Sequence, residues 1–548
     1  MKHSFSLFFI AIIGLSSCNM PKEKADLIVT NAVVYTIDSN FSTTEAFAVK
    51  DGRFVATGSS DEILKTWQAD RLIDAGGATV VPGLNDGHCH FYGLGELLFR
   101  YADLTGSTSF EEVIQRLKIH NEKHPTEWLL GRGWDQNLWP GQQFPDNRLL
   151  EQHFPGKKIL LIRIDGHASL ASKTVLEMAG ITAQTHISGG EVVLDKTGNP
   201  TGVLIDNAND SAKAFIPALT ETEKEAALRE AQQQCFAVGL TSVTDAGLPA
   251  ATIALIKKMQ HDGRLLMRVN AMADPDEATL SALLPNGPYS DDRLSVRSVK
   301  LYADGALGSR GALMKKSYSD TPGRLGLMMH DTAFYRNVMK RAYDAGFQVN
   351  THAIGDAAVH LVLSLYAEQL QGTNDRRWRI EHAQVVDQPD FALFGRYNII
   401  PSIQSTHATS DMGWAGERLG SERLKGAYTQ QQLLEQNGWL VNGTDFPIES
   451  INPMLTFYAA VFRKDLNGRP EGGFQPENAL SRQQALRSIT IWPAKGAFEE
   501  EVKGSIEAGK WADFVILSAD PMLADETEVP EIKPLQVFSA GIQVYEAK

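Results

Sequence analysis

Six residues far apart in this chain are of the types that bind metal ions or move protons. They are His88 and His90 in VPGLNDGHCH, Lys300 in SVKLYADG, His352 in VNTHAIGD, His382 in RIEHAQ and Asp445 in VNGTDFP. Residues two apart on a strand face the same way, so His88 and His90 can grip one cation while Cys89 faces away. His352 and His382 could hold a second cation beside it. Two neighbouring cations need an anion between them, and an unmodified Lys300 has the wrong sign. A lysine amine of lowered pKa, however, can react with carbon dioxide to give a carbamate, whose two oxygens can bridge two metals. Asp445 would then ligate one metal and take a proton from the water held between them, a water that paired metals bring toward neutral pKa.

Each of the six closes or follows a short apolar, β-branched run, and so belongs at or near the C-terminal end of a strand. In a (β/α)8 barrel those ends converge on one mouth, where active sites are built. Taken singly, a strand-end histidine is more often structural and a strand-end lysine is usually solvated. The order carries the metal reading: HxH, Lys, His, His and Asp, separated by helix-length stretches. Candidate strands run over residues 79–84, 158–164, 240–245, 266–273, 296–302, 347–351, 378–381, 399–403 and 439–443. That is one more than a closed eight-stranded barrel accepts.

At these residues the chain resembles the amidohydrolase superfamily, and within it the YtcJ-like metal-dependent hydrolases of amidohydrolase family 3. The resemblance extends over nearly everything after residue 25 and rests on VVPGLNDGHCH, GRGWDQNLWP, RIDGHASLASKTVLEMAGI, GNPTGVLIDNA, VKLYADGALGSRGA, NTHAIGDAAV, RIEHAQ, NGTDFPIESINP and GSIEAGKWADFVIL. It implies that His88 and His90 ligate one metal, His352 and His382 the other, that Lys300 is the carboxylated bridge and that Asp445 is both ligand and proton shuttle. One or two divalent cations are then expected, zinc ahead of iron, manganese, cobalt or nickel. A mononuclear centre with an unmodified Lys300 stays open. Ser405, where the family often has proline, and GTD in place of GSD are the small departures. In the superfamily the lysine stands on the fourth strand, which assigns the surplus run 158–164 to an insertion.

The organisation expected is an α/β chain: a (β/α)8 barrel over 81–99 and 216–497, a β-sandwich from 19–80 and 498–548, and an insertion over 100–215 after the first barrel strand. DLIVTNAVVYTID and AFAVKDGRFVATG at one end, and VKGSIEAGKWADFVIL and LQVFSAGIQVYEA at the other, supply the sandwich strands, with a hairpin turn at Asp51-Gly52. The insertion is a natural lid, because long excursions at a barrel mouth carry binding residues. Trp134, His167 and, beside the lysine strand, Asp304 are its candidate substrate-binding residues. For Trp139 a core role is favoured, for Arg310 an ion pair with an acidic neighbour, and His407 is a further candidate for the mouth.

With 548 residues, 43% of them hydrophobic, the chain can bury a large core. Its net charge of −14 argues against nucleic acid as a partner. MKHSFSLFFIAIIGLSSC has a basic start, an apolar stretch too short to span a bilayer and small residues before a cysteine. Leu15 to Cys18 resembles a bacterial lipobox, which places the enzyme in the cell envelope, periplasmic or outer-membrane associated, on a lipidated Cys18. Cys89 and Cys235 offer no obvious disulfide. Large barrels of this type often pair, which leaves a homodimer open. The function expected is hydrolysis of C–N bonds in small non-peptide amides, such as N-acyl compounds or N-substituted formamides, by metal-activated water. An ester or lactone hydrolase on the same site, and an exported binding or scaffold protein without turnover, are the alternatives.

Overall fold

The computed structural model describes residues 21–123 and 125–548; the N-terminal run expected to be an export signal, with Cys18, lies outside them. Eight parallel strands surround one axis: β1 (Leu84–Cys89), β2 (Leu240–Leu248), β3 (Arg268–Ala273), β4 (Leu294–Tyr302), β5 (Gln348–Ala353), β6 (Arg379–His382), β7 (Ile400–Ile403) and β8 (Val441–Asn442). Each pairs with the next in that order, giving a nearly closed barrel. Their sequences read as β-branched and apolar because helices cover them from outside. Val243, Val299, Val349, Ile380, Ile400 and Val441 are fully buried, each stabilising the fold by about 1.5–3 kcal/mol relative to exposure.

The seam between β1 and β8 is closed at the mouth rather than by a regular ladder. The Asp445 amide donates to the His88 carbonyl at 2.7 Å, and the His90 amide to the Phe446 carbonyl at 2.8 Å. Gly443 makes this approach possible, since a Cβ there would stand 2.4 Å from the His88 nitrogen. Closure of the barrel is thus what brings Asp445 beside the two histidines of β1.

Two of the candidate strands fall elsewhere than in the barrel. The run 79–84 divides at Pro82-Gly83. Thr79–Pro82 pairs with Val33–Tyr35 and Phe514–Leu517 in the sandwich, and the barrel begins only at Leu84. The run 158–164 forms Lys158–Arg163, the strand between Trp128–Trp134 and Ala168–Ala171 in the separate six-stranded sheet of the insertion.

A second six-stranded sheet draws strands from both chain ends and faces a four-stranded sheet of N-terminal strands. Phe47, Phe54, Phe514 and Phe538 form the core between them. Asp51 and Gly52 both adopt positive φ at the hairpin between Ala46–Lys50 and Arg53–Gly58, the backbone that a tight two-residue turn requires. The buried pair of Arg268 and Asp513, Nε to Oδ2 at 2.6 Å, ties barrel to sandwich.

Candidate metal centre

One ring nitrogen each of His88 and His382 and one carboxylate oxygen of Asp445 lie within 4.8 Å of one another, all buried. The other three candidates surround this triad. His90 Nε2 is 3.2 Å from Asp445 Oδ1, Lys300 Nζ is 3.1 Å from His88 Nε2, and the His352 ring centre is 4.5 Å from that of His382. The strand ends therefore bring together all six residues singled out from the sequence. His382 and Asp445 hold φ of 72° and 60°, a left-handed backbone that non-glycine residues adopt at a cost and that clusters at functional sites.

A second layer of partners orients these side chains. His88 donates through Nδ1 to Glu381, which also accepts from Arg379 Nε at 2.7 Å and Ser402 Oγ at 2.6 Å. His382 Nδ1 stands 2.6 Å from Gln404 Oε1, and His90 Nδ1 stands 3.2 Å from the Ala246 carbonyl. All three rings thus leave Nε2 for the centre, the arrangement by which ligand histidines are usually fixed. Glu381 and Gln404 escaped the sequence reading. The signal for Glu381 was available: Arg379 and Glu381 share one face of a four-residue buried strand, where opposite charges two apart must pair.

Burial works against positive charge here. Burial, with the Lys300 ammonium beside it, lowers His88 to about 4. Burial likewise holds His352 and His382 well below the usual histidine range, so all three rings are neutral and keep lone pairs. Burial also lowers Lys300 to about 8 against the pull of Glu381 and Asp445. For Asp445 burial acts to raise the pKa, but hydrogen bonds from His407 and His90 win and keep it ionised. Neutral imidazoles beside a carboxylate form a metal-binding donor set.

Comparison with known proteins agrees. The amidohydrolase family profile matches residues 71–545. The chain belongs to the amidohydrolase family. Protein LONG AFTER FAR-RED 3 of Arabidopsis thaliana is 34% identical, over 95% of this chain and 92% of that protein. The putative amidohydrolase YtcJ of Bacillus subtilis is 30% identical over 94% and 98%, and the N-substituted formamide deformylase of Arthrobacter pascens is 26% identical over 95% and 98%. Among solved structures, an uncharacterised metal-dependent hydrolase from Pyrococcus horikoshii superposes with a TM-score of 0.75 at 27% identity, covering 91% of this chain and 99% of that one.

In this amidohydrolase the centre forms the floor of a cavity of about 580 Å³, walled on one side by the insertion. His167 reaches it from the turn between two insertion strands, its Nδ1 2.8 Å from Asp206 Oδ1. Burial opposes its protonation, but Asp206 raises its pKa on balance. On another wall His407 stands between Glu449, with Nδ1 to Oε1 at 3.0 Å, and Asp445, with Nε2 to Oδ2 at 3.5 Å. Two expected contacts are corrected. Trp134 does not line the cavity: its indole donates to the Leu161 carbonyl at 2.8 Å and packs on Trp139 in the insertion core, because a large ring in a sheet buries most where the sheet packs. Asp304 is absent from the cavity lining as well. Its carboxylate is fully buried, accepting the Leu313, Ile354 and Gly355 amides and standing 3.5 Å from His352 Nε2. Trp139 is core as well, and Arg310 pairs with Asp320 at 2.8 Å.

Proposed function

We propose that this amidohydrolase cleaves C–N bonds of small non-peptide amides using one or two divalent cations, zinc foremost. The observation that carries the reading is the buried triad of neutral His88, neutral His382 and ionised Asp445, of which His382 and Asp445 line the cavity. The residues fit a metal: His352 Nε2 is buried and makes no hydrogen bond among the described residues, with Asp304 Oδ1 3.5 Å away, and leaving such an atom unmet is costly unless an ion meets it. His88, His90 and Asp445 would hold one ion and His352 and His382 the other, with Lys300 between them as a carbamate. The lowered pKa of Lys300 raises the share of free amine that carbamate formation needs. When bound, such ions acidify water and polarise a carbonyl.

The chain's own residues supply the rest. Asp445, ionised and held by His407, takes up a proton at its carboxylate and returns it to the leaving nitrogen, as general acid–base catalysis requires. His167, with Nδ1 engaged by Asp206, presents Nε2 to the substrate oxygen. The apolar side chains of Leu307, Ile354 and Trp414 in the cavity lining suit an uncharged organic substituent. The formamide deformylase relative acts on an amide-type C–N bond, which supports the bond class. An ester turned over faster than its matched amide by orders of magnitude would sink that preference.

A second reading, one ion on His88, His382 and Asp445 with unmodified Lys300, is favoured by the compactness of that triad alone. Metal content per chain, measured on protein purified without chelator beside Lys300→Ala, separates the two. About two ions, falling in the variant together with activity, is the expected result. One ion in both proteins would establish the mononuclear site, and no metal with no turnover would leave a binding protein.

We further propose that a lipidated Cys18 anchors the enzyme in a bacterial cell envelope, on the lipobox-like sequence before it. Labelled palmitate should enter the wild-type chain and not Cys18→Ser, which should move to the soluble envelope fraction. Equal labelling of both would refute the anchor.

A further inference from the structure

A second chamber of about 540 Å³ adjoins the first, sharing His90, Asp165, His167 and Tyr302 in its lining. The two differ in chemistry. In the main cavity Arg163 is fully engaged, with Nε on Gln136 at 2.7 Å and ion pairs to Asp135 and Asp165. The second chamber is lined mostly by polar and charged side chains, and one of its cations, Arg132, is without an acid partner among the described residues.

Arg132 belongs to the insertion strand Trp128–Trp134. Its guanidinium lies over Gly166, where a Cβ would stand 3.4 Å from Nη2. Nε is buried with no hydrogen-bond partner, and among the described residues no acid pairs with the side chain. Most of the acids around the chamber are paired. Asp165 is held by Arg163 and the His167 amide, Asp206 through Oδ1 by His167, its Oδ2 left without a hydrogen-bond partner among the described residues, Asp210 by Lys213 at 3.1 Å and Glu96 by Arg100 at 3.6 Å. Asp274 accepts the Asp276 amide at 3.0 Å. A largely buried guanidinium without an anion is unfavourable, and its planar fork matches a carboxylate in two parallel hydrogen bonds.

We infer that Arg132 anchors a carboxylate subsite. The second chamber takes the carboxylate-bearing half of an N-acyl substrate, the main cavity takes the apolar half, and the scissile amide lies between them beside His90 and His167. The inference rests on the hydrolase reading for the position of the bond, but not for the anion.

The test is calorimetric binding to the metal-loaded protein of two inert probes, N-(hexylsulfonyl)glycine and the neutral N-(2-methoxyethyl)hexanesulfonamide. The acid should bind about tenfold or more tightly than the neutral probe. Arg132→Met should erase that difference while leaving the neutral probe within about threefold, and Arg132→Lys should keep part of it. Equal affinities in the wild type, no binding of the acid, or discrimination persisting in Arg132→Met would overturn the subsite. If Arg132→Met does not fold, the wild-type comparison together with Arg132→Lys decides. An Arg132-dependent preference in a protein that hydrolyses no amide would leave the subsite standing and sink the hydrolase reading. Amide hydrolysis indifferent to the carboxylate would do the reverse.

Discussion

Replacing Asp445 with asparagine should lower kcat by about 10²–10⁴-fold, the range for loss of a positioned acid–base group. The substitution keeps the shape of the side chain, so the seam bond from the Asp445 amide to the His88 carbonyl and the overall fold should survive. What is lost is a buried negative charge that His90 and His407 hold ionised. KM should change little, because no substrate contact is removed. The paired measurements are steady-state kinetics on an N-acyl substrate and metal content per chain. An Asn variant that retains kcat within about threefold would remove Asp445 from proton transfer. Loss of metal alongside activity would instead confine it to the role of ligand.

The second large effect is structural. Arg379 and Glu381 form a fully buried pair beneath His88, with Arg379 Nη2 also donating to Ser402 Oγ at 2.8 Å and the Gly87 carbonyl at 2.7 Å. Arg379→Met leaves the Glu381 carboxylate buried without its cation, and breaking such a pair from one side costs about 3–5 kcal/mol. The affinity of the centre for metal should also fall about 10–100-fold, because Glu381 orients His88. The pH dependence has a definite sign. Burial acts to raise the Glu381 pKa, but Arg379 and His88 override it and hold it well below the usual range. Its contribution to stability is therefore present above the unfolded pKa of about 4.3 and lost as pH falls below it. The difference in melting temperature between wild type and Arg379→Met should be widest near neutrality and narrow below about pH 4. A difference independent of pH would show that the cost lies in packing rather than in the ion pair.

The sequence by itself determined which residues could make a metal centre and on what kind of scaffold. His88, His90, Lys300, His352, His382 and Asp445 sit at the ends of apolar runs of strand length. That pattern is local, so it survives in one dimension. The Asp51-Gly52 hairpin was legible for the same reason, since a turn of two residues is decided by those two. Tertiary structure decided what depends on neighbours from distant segments. Whether residues 79–84 were one strand or two turned on the sandwich strand Phe514–Leu517, more than four hundred positions away, which captures Thr79–Pro82 before the barrel begins. Trp134 and Asp304 have the chemistry of pocket residues, yet the Leu161 carbonyl and three backbone amides hold them inside the protein. Glu381, Gln404 and Glu449 act through histidines that only the closed barrel and its mouth loops bring within reach. Arg132 is the same lesson reversed. Nothing in GRGWDQNLWP distinguishes its arginine from one in an ion pair, and only the folded chain shows that no carboxylate among the described residues pairs with it.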